Sequence, residues 1–300
     1  PKGLMEYIST CKREFKPQTK FQYSCLNYIT LQHIIETITG QSLRDFAKEN
    51  IFDILGMQYT DYLPTIQQQD GKWINTVACP WMDRIAPTEK QKDGSVLCGQ
   101  VHDPLARILN GGISGNAGIF SNANDIGILA AALLNGGEYN GRRILSPLGV
   151  KTMCTVPREL TAFGRTPGWD IFSPYASNKG DLFSPNTFGH TGYTGTSIII
   201  DPDNDTAVIL LVNAVHPEDR HSIVRLRSLV ANAVAASICP PAQVYTDHYY
   251  KRFLQFETET PISPKDIVMV GNSLTENGGN WSKRLNKKNI INRGIIGDEA

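Results

Sequence analysis

A His-Thr-Gly triplet, His190-Thr191-Gly192, stands at the start of a predicted β-hairpin and offers an imidazole, a hydroxyl and an accessible main chain. β-Branched and apolar residues over 197–200 and 207–212 predict the two strands, and an Asp-Pro-Asp-Asn-Asp run between them predicts a tight turn. The glycines in and before the triplet would let a substrate lie against the backbone with little steric obstruction. An ordinary surface hairpin would carry the same residues, so the case for a functional site depends on the rest of the chain.

Several collinear segments resemble the penicillin-recognising serine hydrolases, a family that includes serine β-lactamases, D-alanyl-D-alanine peptidases and related esterases. The hairpin resembles the family's third motif, which is Lys-Thr-Gly or His-Thr-Gly. Residues 21–57 resemble its Tyr-Ser-Asn/Asp motif, the helix that follows and an IF-x-x-LGM helix end, and residues 117–153 resemble its AG-x-x-S loop and two helices. The resemblance implies an α/β (α+β) fold with an antiparallel sheet covered by helices, beside a helical and loop region.

The resemblance also implies roles for particular residues. Tyr23 matches the family tyrosine, which takes the proton from the nucleophile when neighbouring cations support its phenolate. His190 stands at the lysine position of the triplet, and because imidazole titrates near neutrality we expect the site's positive charge to fade as the pH rises. Thr191 and Gly192 would hold the substrate carboxylate or acyl chain, and the N–H of Tyr193 would supply one oxyanion donor.

One position departs from the family pattern. The motif has Asn or Asp two residues after its tyrosine, whereas this chain has Cys25, and a thiol is a poor hydrogen-bond partner. Asn27 is a candidate replacement, although its reach differs. Two alternatives stay open: Tyr23 is a half-buried structural tyrosine, or the domain senses a ligand without catalysing a reaction.

The nucleophilic serine is the missing part of this interpretation. The only Ser-x-x-Lys run extends from Ser9 to Lys12, and it is rejected because ten residues separate Lys12 from Tyr23 where the family inserts much of a helical domain. We therefore expect the nucleophile upstream of Pro1. The chain is then a fragment that lacks this activity by itself.

A second resemblance begins near residue 265. An apolar strand ends in Gly-Asn-Ser-Leu at 271–274, and an Asn-x-Gly-x-x-Gly-Asp block follows at 292–298, as at the opening of an SGNH (GDSL-type) esterase. The resemblance implies the first βαβ unit of a flavodoxin-like fold that continues beyond the chain, with Ser273 as nucleophile and the Gly297 N–H as oxyanion donor. The alternative is an ordinary βαβ unit with a glycine-rich turn. If the esterase interpretation holds, this module could carry most of the activity.

Composition limits the classes of function. The 300 residues include 29 Lys and Arg and 29 Asp and Glu, and this zero net charge without a basic stripe argues against a nucleic-acid partner. No apolar run approaches the roughly 20 residues of a membrane span. Six scattered cysteines without zinc-site spacing predict free, mostly buried thiols. We expect no cofactor or metal, and the resemblance implies a small-molecule ester, amide or β-lactam substrate, cell-wall-derived ones included, in the cell envelope or periplasm.

Periodicity and capping residues predict the elements that position these groups. Helices are predicted over 28–39, from Ser42 to about Leu55, over 124–134, from Ser146 onward and over 221–238, with a strand over 267–270. Irregular structure is predicted over 64–110 and 158–188. The expected domains are 1–239 (β-lactamase-related) and 265–300 (start of the esterase), joined by a linker over 240–264.

Overall fold

The computed structural model describes residues 2–173, 175–176, 178–219, 222–238, 247–259, 261–271 and 276–294. The chain divides into two units, Pro1–Ile238 and Cys239–Ala300. Ser273 and Gly297, the two site residues expected in the second unit, lie outside the described residues.

The first unit combines helices with short antiparallel strands. Its helices are α1 (Lys2–Thr10), α2 (Cys25–Thr39), α3 (Leu43–Ala47), α4 (Asp53–Leu55), α5 (Ala123–Leu134), α6 (Pro147–Cys154) and α7 (Val224–Ser237). Its strands are β1 (Asp61–Tyr62), β2 (Thr65–Gln67), β3 (Trp73–Asn75), β4 (Ile119–Phe120), β5 (Glu138–Tyr139), β6 (Arg142–Arg143), β7 (Phe188–Thr191), β8 (Ser197–Asp201) and β9 (Thr206–Leu210). The 64–110 stretch is predicted to be irregular, but it contains β2, β3, a 3₁₀ turn at Met82–Arg84 and a π-helical segment at Leu105–Leu109 between its loops.

Short polar side chains begin the helices, because each accepts a hydrogen bond from an N–H group of the first turn that has no partner within the helix. Ser24 caps α2, Ser42 caps α3, Asn122 caps α5 and Ser146 caps α6. The Ser24 cap lets α2 begin three residues before the predicted start. The helix predicted to continue from Ser42 to Leu55 is interrupted by a π-helical segment at Lys48–Phe52, a hydrogen-bond shift that apolar periodicity does not reveal.

The central sheet has the order β7-β8-β9, and both strand pairs are antiparallel. Its register sets His190 opposite Ile198 and Thr191 opposite Ser197. Gly189 is required in β7 because a Cβ atom there would lie 2.2 Å from the Ile198 carbonyl oxygen. The predicted hairpin is therefore present, with its second strand ending at Leu210.

Two apolar clusters form the core, and α5 contributes to both. Ala132 packs in a helical cluster with residues of α3 and α4, whereas Ala130 and Leu133 pack in a second cluster against Phe188 and Ile200 of the sheet. The two alanines are 1% and 0% exposed, so the layers on either side of α5 approach it closely. This mixed α/β arrangement agrees with the fold class expected from the sequence.

Asp201 anchors the end of β8 to the preceding loop. Its side chain is 1% exposed and accepts hydrogen bonds from the Oγ and N–H of Ser184, the Nδ2 of Asn204 and the N–H of Asp203. Burial alone would raise the pKa of the Asp201 carboxyl, but these hydrogen bonds outweigh burial and hold the pKa below its ordinary value. The ionised carboxylate is thus part of the folded hairpin.

The second unit contains a helix, α8 (Asp247–Thr258), and a parallel strand pair, β10 (Ile267–Gly271) and β11 (Ile290–Gly294), joined through the short helix α9 (Trp281–Arg284). The strand predicted at 267–270 is present. The segment predicted as a linker holds α8, where Arg252 lies over the ring of Phe256. Aromatic and basic residues at helical spacing therefore form structure there.

The thiols differ from the prediction in their exposure. Free thiols are found, as expected, at the five cysteines within the described ranges. The prediction that they are mostly buried is wrong, because these residues lie in loops and at helix ends. Two are exposed and three are partly exposed: Cys11 and Cys98, then Cys25, Cys79 and Cys154. Within the described ranges, no helix combines the length and apolar character needed to span a bilayer.

Asp201→Asn should destabilise the first unit by about 2 kcal/mol at pH 7, because a buried charged acceptor with several donors is lost. The folded-state pKa is depressed, so this stabilisation is complete above the unfolded-state pKa and is lost as the pH falls through the folded-state value. Urea unfolding at pH 7 and below about pH 4 measures the effect, with Asp205→Asn in the same turn as the matched control. An equal penalty at both pH values would contradict this assignment.

Candidate active site

The start of α2 forms one wall of an open cleft. The extended segment before the helix carries Tyr23, and Ser24 caps the helix by accepting a hydrogen bond from the Leu26 N–H at 3.2 Å. This cap orients the first turn, so that Asn27 faces the same cleft as Tyr23. The described lining residues are Phe21, Gln22, Tyr23, Ser24, Asn27, Tyr28, Leu31, Arg165, Thr166 and Pro167.

Arg165 supplies the permanent positive charge of this cleft. Its guanidinium carbon lies 5.7 Å from the ring centroids of both Phe21 and Tyr23, a cation–π arrangement. Its Nη1 donates to Asp170 Oδ2 at 2.9 Å, and the two side chains are only 12% and 7% exposed. Because a guanidinium stays protonated throughout the physiological range, this charge does not depend on pH.

Asp170 ties the Arg165 loop to the central sheet. Its main chain exchanges two hydrogen bonds of 2.9 Å with Gly189 of β7, and its carboxylate accepts from the N–H and Oγ of Ser173. The loop therefore adds locally to the edge of β7, beside His190. Removing either partner of this buried pair would leave a charge without compensation, which is strongly destabilising.

His190 is held in its neutral form. Its Nδ1 lies 2.9 Å from the Thr191 carbonyl oxygen, and its Nε2 lies 3.3 Å from Arg165 Nη2. A carbonyl can only accept and a guanidinium can only donate, so the hydrogen-bond network assigns the proton to Nδ1 and the lone pair to Nε2.

The same surroundings lower the pKa of His190. Burial is the largest cause and the Arg165 charge adds to it, whereas the Thr191 carbonyl and the Asp170 carboxylate act in the opposite direction. This differs from the expectation that His190 provides a cation that titrates near neutrality. The cation of the site is Arg165, and His190 is its neutral neighbour.

Tyr23 and His190 meet in space, as the sequence predicts. Their ring centroids are 6.4 Å apart, and the ring centroid of Tyr175 lies 5.2 Å from that of Tyr23. The pKa of the Tyr23 phenol is raised, first by burial and then by Cys25 and neighbouring tyrosines, while Arg165 lowers it. Tyr23 is thus a phenol at neutral pH, with one cation close by.

The turn after β7 carries the remaining triplet residues. Thr191 ends the strand, and the Gly192 N–H donates to the Thr196 carbonyl at 2.7 Å. The side chain of Tyr193 is 75% exposed, and its hydroxyl donates to Asp219 at 2.5 Å. These residues directly follow His190, and neither they nor His190 is among the described residues that line the cleft around Tyr23.

A histidine that the sequence does not connect with the site packs against the ring of Tyr193. His102 stacks on the Tyr193 ring with a centroid separation of 5.7 Å and an interplanar angle of 23°. Its Nε2 lies 3.2 Å from Glu89 Oε2. This contact joins the irregular 64–110 stretch to the turn after the triplet.

Sequence reasoning also missed Arg165 and Asp170, which lie in a stretch without periodicity or motif. Ser9, the rejected nucleophile, is exposed and donates its hydroxyl to the Glu6 carbonyl of its own helix. Ser9 and Lys12 are not among the described residues that line the cleft. In the described part of the chain, no group of three or more His, Cys, Asp or Glu residues could hold a metal ion.

Comparisons with known proteins identify what this arrangement is similar to. The family sequence model described as Beta-lactamase matches residues 2–232. The chain is 35% identical over 226 residues to an Escherichia coli K12 protein named "Putative D-alanyl-D-alanine carboxypeptidase", and a Salmonella gallinarum protein of the same name is 33% identical. Each match covers 71% of this chain and 49% of the relative, so the chain spans about half the length of these curated relatives.

Solved structures share the fold at low sequence identity. A beta-lactamase from Mycobacterium bovis superposes with a TM-score of 0.50 at 19% identity, over 75% of this chain and 66% of the other. Simvastatin synthase from Aspergillus terreus gives a TM-score of 0.51 at 16% identity, over 74% and 56% of the two chains. Together with the sequence model, these matches confirm the expected mixed α/β fold.

Arg165→Gln should raise the pKa of His190 toward its ordinary value, because the neighbouring cation that disfavours imidazolium is removed. An NMR titration of the His190 imidazole in the wild type and the variant measures the shift, at a temperature where circular dichroism shows that the variant stays folded despite its unpaired Asp170 carboxylate. Arg158→Gln, an exposed arginine of the same stretch, is the matched control and should leave the titration unchanged. A His190 pKa that is unchanged or lower in Arg165→Gln than in the wild type would refute this description of the site.

Proposed function

The chain belongs to the beta-lactamase family, and from this premise we propose that residues 1–238 form part of a serine hydrolase that acts through an acyl-enzyme. The observation that carries the proposal is the contact of Tyr23 and His190 around Arg165, next to the His-Thr-Gly turn. A tyrosine hydroxyl, a fixed cation and a backbone N–H donor are among the groups that acyl transfer requires.

In the proposed reaction, a serine hydroxyl attacks the carbonyl carbon of an ester, amide or lactam. The carbonyl oxygen becomes an oxyanion that accepts a hydrogen bond from the Tyr193 N–H. The serine proton passes to the leaving group by way of Tyr23, and the bond from the carbonyl carbon to the leaving group breaks. Water then hydrolyses the acyl-serine ester, releasing the acid and restoring the serine.

The raised pKa of Tyr23 restricts how this proton moves. A phenol at neutral pH can donate to the leaving group, but it accepts the serine proton only when a further cation stabilises the phenolate. We propose that this cation is the lysine of the family's Ser-x-x-Lys segment, and that the segment precedes residue 1. Ser24, which lines the cleft, is a poor alternative nucleophile because its hydroxyl caps α2.

The proposed substrates are small molecules with a D-amino-acid amide, ester or β-lactam group, cell-wall fragments among them. The name of the E. coli relative supports a peptide that ends in D-alanine. Arg165 and the aromatic rings around it would receive a flat or anionic group beside the scissile bond. We accordingly propose a place of action in the cell envelope or periplasm, with no nucleic-acid partner.

A non-catalytic ligand sensor is the second candidate. It is favoured by Cys25, which stands in the cleft-forming turn where the family motif has Asn or Asp, and by the raised pKa of Tyr23. For the second unit, we propose the start of an SGNH-type esterase. Its parallel β10–β11 pair supports this proposal, and in the sequence Ser273 stands two residues after the last residue of β10, Gly271.

A fluorescent penicillin and a fluorophosphonate test whether the first unit is an enzyme. A polypeptide that includes the residues preceding Pro1 should be labelled on a serine of that added part, whereas residues 1–300 alone should stay unlabelled within 1–238. Both proteins should carry Ser273→Ala, so that the second unit cannot react, and mass spectrometry should map the label. Labelling within 1–238 would exclude an upstream nucleophile, and no labelling of the longer protein would favour the sensor.

Tyr23→Phe in the same longer polypeptide should lower kcat by a factor of about 10² to 10⁴, because a positioned proton carrier is lost. Circular dichroism and the thermal midpoint should remain those of the parent, since Tyr23 is 44% exposed and its ring is retained. Tyr59→Phe, which lies outside the cleft, is the control with unchanged kcat. Full activity of Tyr23→Phe would rule out the proton-transfer role.

A further inference from the structure

The turn that follows the triplet is closed by its own backbone. The Gly192 N–H donates to the Thr196 carbonyl at 2.7 Å, and the Gly195 N–H donates to the Gly192 carbonyl at 3.1 Å. Both carbonyl oxygens therefore have a main-chain donor without any help from a side chain. Among the hydrogen bonds of the described residues, none has the Tyr193 N–H as donor.

A buried arginine from α7 adds to this closed turn. Arg227 is 8% exposed, and its Nη2 donates to the carbonyl oxygens of Gly192 and Thr196, both at 2.9 Å. The ion pairs of the described residues include none with Arg227, and its buried Nε lacks a hydrogen-bond partner there. Burial lowers the pKa of this guanidinium, as expected for a cation taken out of water without a carboxylate beside it.

Stability does not account for this arginine. A buried charge without a counter-ion is costly. We therefore expect an apolar side chain of similar length at position 227 to leave the stability of the fold unchanged or higher. The two carbonyls that Arg227 contacts keep their backbone donors when it is removed. The role of Arg227 is therefore sought in how it orients the backbone of the turn.

Peptide geometry connects Arg227 to the proposed oxyanion donor. The Gly192 carbonyl and the Tyr193 N–H belong to one trans peptide unit, in which the two groups point in opposite directions. A cation on the Gly192 oxygen therefore directs the Tyr193 N–H away from α7. It also polarises the peptide, which makes that N–H a stronger donor.

We propose that Arg227 is a positioning residue for the acyl-transfer reaction: it locks and polarises the Gly192–Tyr193 peptide so that the Tyr193 N–H is preset for the oxyanion. This inference rests on the proposed function of the first unit. Arg227 does not touch the substrate, and acts through the backbone that does. Burying the Arg227 charge costs some folding stability, and in return the Tyr193 N–H needs no reorganisation during the reaction.

Three variants in the longer, nucleophile-containing polypeptide test the role. Arg227→Met should lower kcat by about 10-fold to 100-fold with KM within about twofold of the parent, because the interaction is strongest in the transition state. Its thermal midpoint should be unchanged or higher. Arg227→Lys, which restores a cation, should recover much of the lost kcat, and the exposed Arg225→Met is the control on the same helix.

The opposite outcomes overturn the role. An unchanged kcat in Arg227→Met refutes the positioning role. A lower thermal midpoint, together with a lower kcat and a higher KM that Arg227→Lys does not restore, indicates a structural arginine. The amide proton resonance of Tyr193 in residues 1–300 gives an independent readout. It should move upfield in Arg227→Met and return in Arg227→Lys.

The two readouts separate the inference from the proposed function. If the Tyr193 amide resonance does not move in Arg227→Met, the positioning role of Arg227 is refuted even when the longer polypeptide is an active enzyme. If the resonance moves but the longer polypeptide is never acylated, the proposed function is refuted instead, and with it the catalytic role of Arg227.

Discussion

The ion pair between Arg165 and Asp170 holds the candidate site together. Asp170 is hydrogen-bonded to β7 by its main chain and to Ser173 by its carboxylate. These bonds fix the carboxylate independently of its ion pair with the arginine. Arg165 then extends over the Tyr23 ring and reaches the His190 imidazole. A loop without regular structure is thereby made rigid, because each of its two charged groups is needed to neutralise the other in a buried setting.

This arrangement gives the site a charge pattern that differs from a triplet with lysine. The positive charge resides on a delocalised guanidinium that is held by a carboxylate, and the triplet's own side chain is a neutral imidazole with its lone pair directed at the arginine. An arginine cannot give up its proton in the physiological range, so it can stabilise anions but cannot act as a base. In the proposed reaction, proton transfer therefore falls to the phenol of Tyr23 and to the lysine proposed to precede residue 1.

Much of the frame could be predicted from the sequence because its signals are local. The Ser42 cap, the Ser146 cap of α6 and the turn chemistry of the hairpin each act within a few residues. The meeting of Tyr23 with His190 was reached through the resemblance and not through periodicity. Arg165 and Arg227 could not be found, because their roles arise from contacts with partners 25 and 35 residues away along the chain. No repeating pattern records such contacts.

Helix α5 contributes an alanine to each of the two apolar clusters, and so links the packing of α2 to that of the central sheet. Helix α2, which follows Tyr23, packs through Ile35 on the cluster that contains Ala132, whereas the strand of His190 packs through Phe188 on the cluster that contains Ala130. Helix α5 thus connects the packing of α2 with that of the central sheet. Because Ala130 and Ala132 are 1% and 0% exposed, a larger side chain at either position would have to displace a neighbour in one of the two clusters, at a cost of about 1–3 kcal/mol.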